Sequence, residues 1–303
     1  MLPGMARKPR IVIVGAGNLG TALAVSLRGA GYAIESVITP RRGASLRKAR
    51  TLARQVGAKA SAGLAEKGPA EKGLPAKVQA EVIWFAVPDG QIAVAARDLA
   101  SKIEWDGKIA LHSSGALASD ELGALRRRGA KVASVHPMMT FVRGSQVRRT
   151  QPSLAGVPFA VEGDAAAVRA ARRIVNDLAG YSCAIRKKDK AAYHAWGAFA
   201  SPLFTALLAT GEQVAALAGV TRKEARRRII PILLQTLANY ASFGAAGAFS
   251  GPIVRGDVDT VKKHMRVLGK VPPARDVYVA LARAALHYLP AKRRGELARA
   301  LRS

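Results

Sequence analysis

Apolar positions in the first half of the chain come in short unbroken runs, and between them the spacing lengthens to a helical period. Runs at 10–15, 33–39, 81–87, 108–112 and 131–135 predict buried strands, and the stretches 18–29, 44–56, 90–103 and 118–128 predict helices. Alternation of the two predicts an α/β fold, a parallel doubly wound sheet with ligand along the carboxyl ends of its strands. A strand at 156–162, a helix at 164–179 and a strand at 181–186 finish this part, and the Gly-, Ala-, Lys- and Pro-rich segment 61–78 reads as an exposed loop. From about Lys187 the strand pattern stops. Helical patterns at 190–217, 221–243, 257–268, 274–288 and 291–301 predict a C-terminal all-helical domain, so the expected division is 1–186 and 187–303.

The first strand runs into Gly15-Ala16-Gly17-Asn18-Leu19-Gly20, and each glycine has its own mechanical task. Gly15 permits a tight turn, Gly17 lets backbone approach a pyrophosphate, and Gly20 lets helix pack close against strand. Amides at Asn18 and Leu19 would point at an anion, aided by the positive end of the helix dipole. The second strand selects the dinucleotide. An NAD site wants a carboxylate at that strand's carboxyl end, but Glu35 falls in mid-strand and the end reads Thr39-Pro40-Arg41-Arg42. Arg41 and Arg42 suit a 2′-phosphate, which favours NADP, although they also open the basic helix 44–56.

Charge and composition narrow the class. Lys and Arg number 48 against 20 Asp and Glu, a formal charge of +28. The basic clusters are dispersed at helical spacing without interleaved aromatics, which reads as solvated helix faces that attract anionic ligands rather than a specific nucleic-acid platform. The single cysteine, Cys183, excludes an internal disulfide framework, fits a reducing compartment and reads as a buried thiol. The first ten residues lack a signal-peptide core, and the most apolar stretch, 191–220, is interrupted by His194, Ser201, Pro202 and Glu212. The expectation is a cytoplasmic protein with that stretch as a buried helix and no membrane span.

Three polar groups end strands beside the expected crevice. Val87-Pro88-Asp89 either touches the cofactor through its backbone or only punctuates a strand. Ser113 and Ser114 either bond the nicotinamide amide or substrate, or cap an ordinary turn. His136 either exchanges a proton at neutral pH or holds loop carbonyls. In the helical half, Lys190, His194 and Ser201 fall roughly on one predicted helix face, which lines a cleft or forms a polar seam. The loop Gly251-Pro252-Ile253-Val254-Arg255-Gly256-Asp257 carries two fixed charges that bind substrate or cap the next helix.

With these pieces in order, the chain resembles the Rossmann-like/DUF2520 family, related to pyrroline-5-carboxylate reductases and coenzyme F420-dependent NADP oxidoreductases. The resemblance rests on Gly15–Gly20, Ala86-Val-Pro-Asp89, His112-Ser-Ser-Gly-Ala-Leu117, His136-Pro137-Met138 with Phe141, Tyr193-His194 with Ser201, and Gly251–Asp257. It implies an N-terminal dinucleotide domain, a helical domain like the C-terminal part of 6-phosphogluconate dehydrogenase, and a homodimer built from those helices. Related β-hydroxyacid dehydrogenases carry a lysine four residues before an asparagine on the first helix of the second domain. Here Ser201 stands at the asparagine-like position and Gly197 at the lysine position, so that lysine mechanism does not carry over.

The expected function is an NADP(H)-dependent oxidoreductase moving a hydride to or from a small carbonyl or imine at an interdomain cleft, with His136, His194 and Ser201 as catalytic candidates. The expected cofactor contacts are Gly15, Gly17, Asn18, Leu19, Gly20, Thr39, Arg41, Arg42, Val87, Pro88, Ser113 and Ser114, with no metal. The rival reading is a non-enzymatic NADP-binding sensor or scaffold.

Overall fold

The computed structural model describes residues 7–39, 43–62, 78–142 and 154–302. Eight strands, β1 (Ile11–Val14), β2 (Ile34–Thr39), β3 (Lys59–Ala62), β4 (Val82–Phe85), β5 (Ile109–His112), β6 (Lys131–Pro137), β7 (Pro158–Gly163) and β8 (Tyr181–Ala184), form one sheet. Their order is β3-β2-β1-β4-β5-β6-β7-β8, so the direction of chain progression reverses between β1 and β4. That reversal opens a crevice at the carboxyl ends of β1 and β4.

Burial explains the strand pattern. All four residues of β1 are fully buried. Ile11 and Ile13 pack on one face of the sheet with Leu23 and Leu27 of α1 (Asn18–Gly29), Leu52 of α2 (Ala44–Val56) and Ile174 of the 165–177 helix. Val12 and Val14 face the other side, with Ile92 and Leu99 of α3 (Asp89–Ala100) and with Trp105. Successive side chains point to opposite faces, and covering both faces turns the run continuously apolar. Each such Val or Ile contributes about 1.5–3 kcal/mol when buried.

The sheet departs from the all-parallel expectation at one place. β6 and β7 pair antiparallel, His136 opposite Ala160, whereas β8 returns parallel to β7. An antiparallel pair needs no crossover helix in its connection, unlike the parallel pairs on either side. β3 (Lys59–Ala62) is a further departure, because no strand is expected there and Ser61 and Ala62 fall in the expected loop 61–78. It is a short edge strand of small and polar residues with only Ser61 buried, so it carries no apolar run. Residues 63–77 of the expected loop lie outside the described residues. The expected helix 118–128 is a 3-10 turn, Ser119–Leu122, followed by a single α turn, α4 (Gly123–Arg126). Beyond it, α5 (Ala165–Asp177) covers the sheet as expected.

The helical half comprises α6 (Lys190–Ala200), α7 (Pro202–Ala216), α8 (Arg222–Ala248), α9 (Pro252–Arg255), α10 (Val258–Leu268), α11 (Pro272–Tyr288) and α12 (Arg294–Ala300). The single helix expected over 190–217 breaks at Ser201, whose φ of −128° and ψ of −80° are not helical. Pro202 explains the break, since proline bars the preceding residue from helical conformation and suits a first helical position. That stretch is not buried either: α7 has no buried residue. α8 runs past its expected end to Ala248, with a kink at Gly244, where φ is +68°. The chain divides into compact units at residues 1–197 and 198–303. The second unit has a small core of its own from Val258, Val261, Met265, Ala282, Leu297, Ala300 and Leu301.

Candidate active site

The glycine turn is built as its sequence demands. Gly15 has φ of +113°, and a Cβ there would stand 2.4 Å from the Ala86 carbonyl oxygen. A Cβ on Gly20 would stand 2.0 Å from the Gly15 oxygen, so helix and strand touch backbone to backbone. Gly17 is the opposite case: nothing lies within 4 Å of its Cβ position. It is the N-cap of α1 and supplies no side-chain cap, and the first turn holds no acid. The N–H groups at Asn18 and Leu19 therefore open an uncapped, positive helix end toward free space. Asn18 is fixed from behind, its Nδ2 donating to the Phe141 carbonyl at 3.0 Å, and Leu19 packs its side chain against the core. This cradle fits a dinucleotide pyrophosphate.

Thr39 is buried at the end of β2, on the same edge of the sheet. Arg41 and Arg42 lie outside the described residues. Glu35 sits at the opposite end of β2, where its Oε1 accepts from the Gln79 amide, so no carboxylate occupies the strand's carboxyl end. Val87 lies against the glycine turn and Pro88 caps α3.

The turn after β5 is held from every side. Trp84 Nε1 donates to Ser113 Oγ at 2.8 Å. Ser114 Oγ donates to Asp89 at 2.9 Å and accepts from the Leu117 amide at 2.9 Å. The Ser114 hydroxyl is thus engaged in building the turn, while Ser113 keeps one proton to donate. His112, which the sequence offered only as part of a motif and with no role, anchors the turn from below. Its Nδ1 accepts from the Ser114 amide, so Nε2 carries the proton and donates to the Ala118 carbonyl at 3.0 Å. It is fully buried, and burial pushes its pKa down to about 4, leaving it neutral.

His136 and His194 meet over this turn, their ring centroids 5.9 Å apart and edge to face. Gly115 makes room for both. A Cβ there would lie 2.4 Å from His194 Cδ2 and 2.9 Å from His136 Nε2. His136 Nδ1 lies 3.1 Å from the Ser113 carbonyl, and because a carbonyl only accepts, Nδ1 carries the proton and Nε2 presents a lone pair. Burial holds its pKa below the ordinary histidine value, against the Ser113 bond, with the nearby Lys190 and His194 adding to the lowering. Tyr193 packs its ring edge-on to His136 and to Trp196.

The expected face of Lys190, His194 and Ser201 is not a face. Lys190 is 1% exposed and points inward, His194 is exposed, and Ser201 belongs to the second unit as the N-cap of α7. Cys183 is half-buried rather than enclosed. Arg255 and Asp257 pair with each other at 2.8 Å, and the Asp257 side chain caps nothing.

Two family models match this chain: a Rossmann-like domain over residues 4–137 and a domain of unknown function, DUF2520, over residues 157–285. The chain's solved structural relatives span both. Protein BF3122 from Bacteroides fragilis, named as a candidate NADP oxidoreductase, aligns at 20% identity over 91% of this chain and 97% of its own, with a TM-score of 0.72. Protein TM1727 from Thermotoga maritima aligns at 23% identity over 97% and 100%, with a TM-score of 0.66. A reductive aminase from Aspergillus terreus, in complex with NADPH and ethyl-5-oxohexanoate, aligns at 16% identity over 96% and 99%, with a TM-score of 0.62. At these identities the likeness is one of fold. Comparison with the curated proteins finds no match.

Proposed function

We propose that this Rossmann-like/DUF2520 chain is an NADP(H)-dependent oxidoreductase acting on a small imine or carbonyl compound. The observation that carries the reading is the open, uncapped N-terminus of α1 above the Gly15–Gly20 contact, in the same sheet as β6, which carries His136 of the His136–His194 pair. NADPH in the complex of the Aspergillus reductive aminase supports the choice of cofactor. Gly15, Gly17, Asn18, Leu19 and Gly20 would hold the pyrophosphate. Thr39, Arg41 and Arg42 would hold the adenosine ribose with its 2′-phosphate. Val87, Pro88 and Ser113 would border the nicotinamide.

When bound, the nicotinamide supplies a hydride. The chain's own contribution is orientation and proton placement. His136 is neutral near pH 7 with its one proton given to the Ser113 carbonyl, so it offers the substrate an acceptor and no proton. An imine that arrives protonated needs no acid, and its N–H can donate to His136 Nε2 while hydride adds to carbon. A ketone needs a donor that this histidine does not hold. The site therefore favours imines, and His194 is the remaining histidine for a substrate that needs a proton. Loss of NADPH absorbance against a panel of small cyclic imines and ketones tests the reading. Turnover of imines above ketones is expected, and binding of NADPH without turnover of any member would favour the sensor reading.

We also propose a cytoplasmic homodimer formed through α8. This helix has no buried residue, yet Ile232, Leu234, Leu237, Tyr240 and Phe243 are all more than half exposed. The segment Arg222–Arg255 is long and apolar enough to cross a membrane by length and composition. Pro231 and the polar Gln235, Thr236 and Asn239 within it suit a protein partner better than lipid. Light scattering without detergent should give twice the single-chain mass, and sedimentation with membranes would contradict it.

A further inference from the structure

Lys190 is enclosed at the start of α6, a place where a lysine is costly. An ammonium out of water must find oxygen partners or neutralise. Here Nζ donates to the Ser114 carbonyl at 3.0 Å and to Ser134 Oγ at 2.8 Å, and no carboxylate is in direct contact with it among the described residues. Ser134 Oγ in turn donates to the same carbonyl at 3.3 Å, closing a triangle between β6, the Ser113–Ser114 turn and α6. The two ends of this triangle carry the site's histidines: His136 lies two residues beyond Ser134, and His194 one helical turn beyond Lys190.

We propose that Lys190 is a positioning residue for His136: its ammonium clamps the Ser113–Ser114 turn, which orients the imidazole so that Nε2 faces the substrate as an acceptor. This rests on the proposed oxidoreductase function for its use in turnover, but the effect on His136 exists without substrate. The clamp is geometric. With Ser114 held by Lys190, the adjoining Ser113 carbonyl is fixed where His136 Nδ1 donates to it.

The field acts in the same sense. Around His136 stand Lys190, Tyr193 and His194 from α6, His112 from β5, Asp89 from α3 and, behind Lys190, Glu162 from β7. Burial is the largest cause of the lowered His136 pKa, Lys190 and His194 add to it, and Asp89 opposes it. Lys190 has its own proton affinity lowered by burial and is supported by Glu162 and Asp89.

The test is a histidine NMR titration of the full chain, with His136 assigned by substitution, on wild type, Lys190→Met and Lys190→Gln. Both variants remove the charge, while Gln keeps an amide donor for the Ser114 carbonyl. The His136 midpoint should move to higher pH in both. With a working imine substrate, kcat should fall roughly tenfold or more in K190M and less in K190Q, because misplacement is the larger loss. NADPH affinity should change little. A His136 midpoint unmoved in a folded variant overturns the proposal. Should neither variant fold, Ser134→Ala, which removes one partner of the ammonium, should still move the His136 midpoint, and an unmoved midpoint there overturns the proposal. Absence of turnover in the wild type would count against the oxidoreductase reading alone, since the titration needs neither cofactor nor substrate.

Discussion

The two units of the chain use hydrophobicity in opposite ways. In residues 1–197 the apolar residues of β1, β2 and β4 are enclosed, and the helices α1, α2, α3 and α5 each bury a stripe against the sheet. In residues 198–303 the longest helix, α8, buries nothing, and Phe243 is 69% exposed. One pattern completes itself within the unit. The other leaves a long apolar face bare, the face through which the proposed dimer would form. The polar chemistry follows the same division. Buried groups such as His112, Lys190 and Glu162 sit where rigid strand ends can satisfy them, whereas the ion pairs of the helical unit, such as Arg226 with Glu212, are on its surface.

The comparison breaks first at the glycine turn. Gly20→Val forces a side chain into the Gly15 carbonyl and should destabilise the first unit by about 3 kcal/mol or more, read by urea denaturation. Gly17→Ala meets open space and should cost no more than about 1 kcal/mol, the difference between Gly and Ala at an N-cap, while weakening NADPH binding. Equal losses of stability in the two variants would contradict the close approach at Gly20.

A smaller effect concerns acid. His112 ionises at 6.5 in an unfolded chain and at about 4 in the folded one, so the unfolded state binds the proton first. Its contribution is present above pH 6.5 and is lost as pH falls toward 4, up to about 3 kcal/mol. Stability measured between those pH values should fall less steeply in His112→Asn, and parallel slopes would refute a buried neutral imidazole. For the second unit, Leu237→Asp with Phe243→Asp should cost little in the folding of a single chain but halve the mass seen by light scattering. A wild type already of single-chain mass would remove the dimer proposal.

What could be read from the sequence followed burial. Strands buried on both faces announce themselves as apolar runs, and the glycine turn is local, so both were legible. β3 was not, because an edge strand of Lys59, Ala60, Ser61 and Ala62 needs neighbours rather than pattern. The single apolar stretch 191–220 hid the break before Pro202, although the proline itself was the signal. The inward contacts of His112 and Lys190 were hidden for a common reason, although both residues stood in the motifs read from the sequence. A histidine inside a strand and a lysine at a helix start look ordinary until tertiary contacts bring Ser114, Ala118 and Ser134 to them.

The central claim is that the first unit binds a dinucleotide bearing a 2′-phosphate at an uncapped helix end. Calorimetric titration of the full chain with NADPH and with NADH tests it most directly. Charge-assisted contacts from Arg41 and Arg42 should make NADPH at least about tenfold tighter. NADH binding as tightly as NADPH, or heat from neither, would contradict the account.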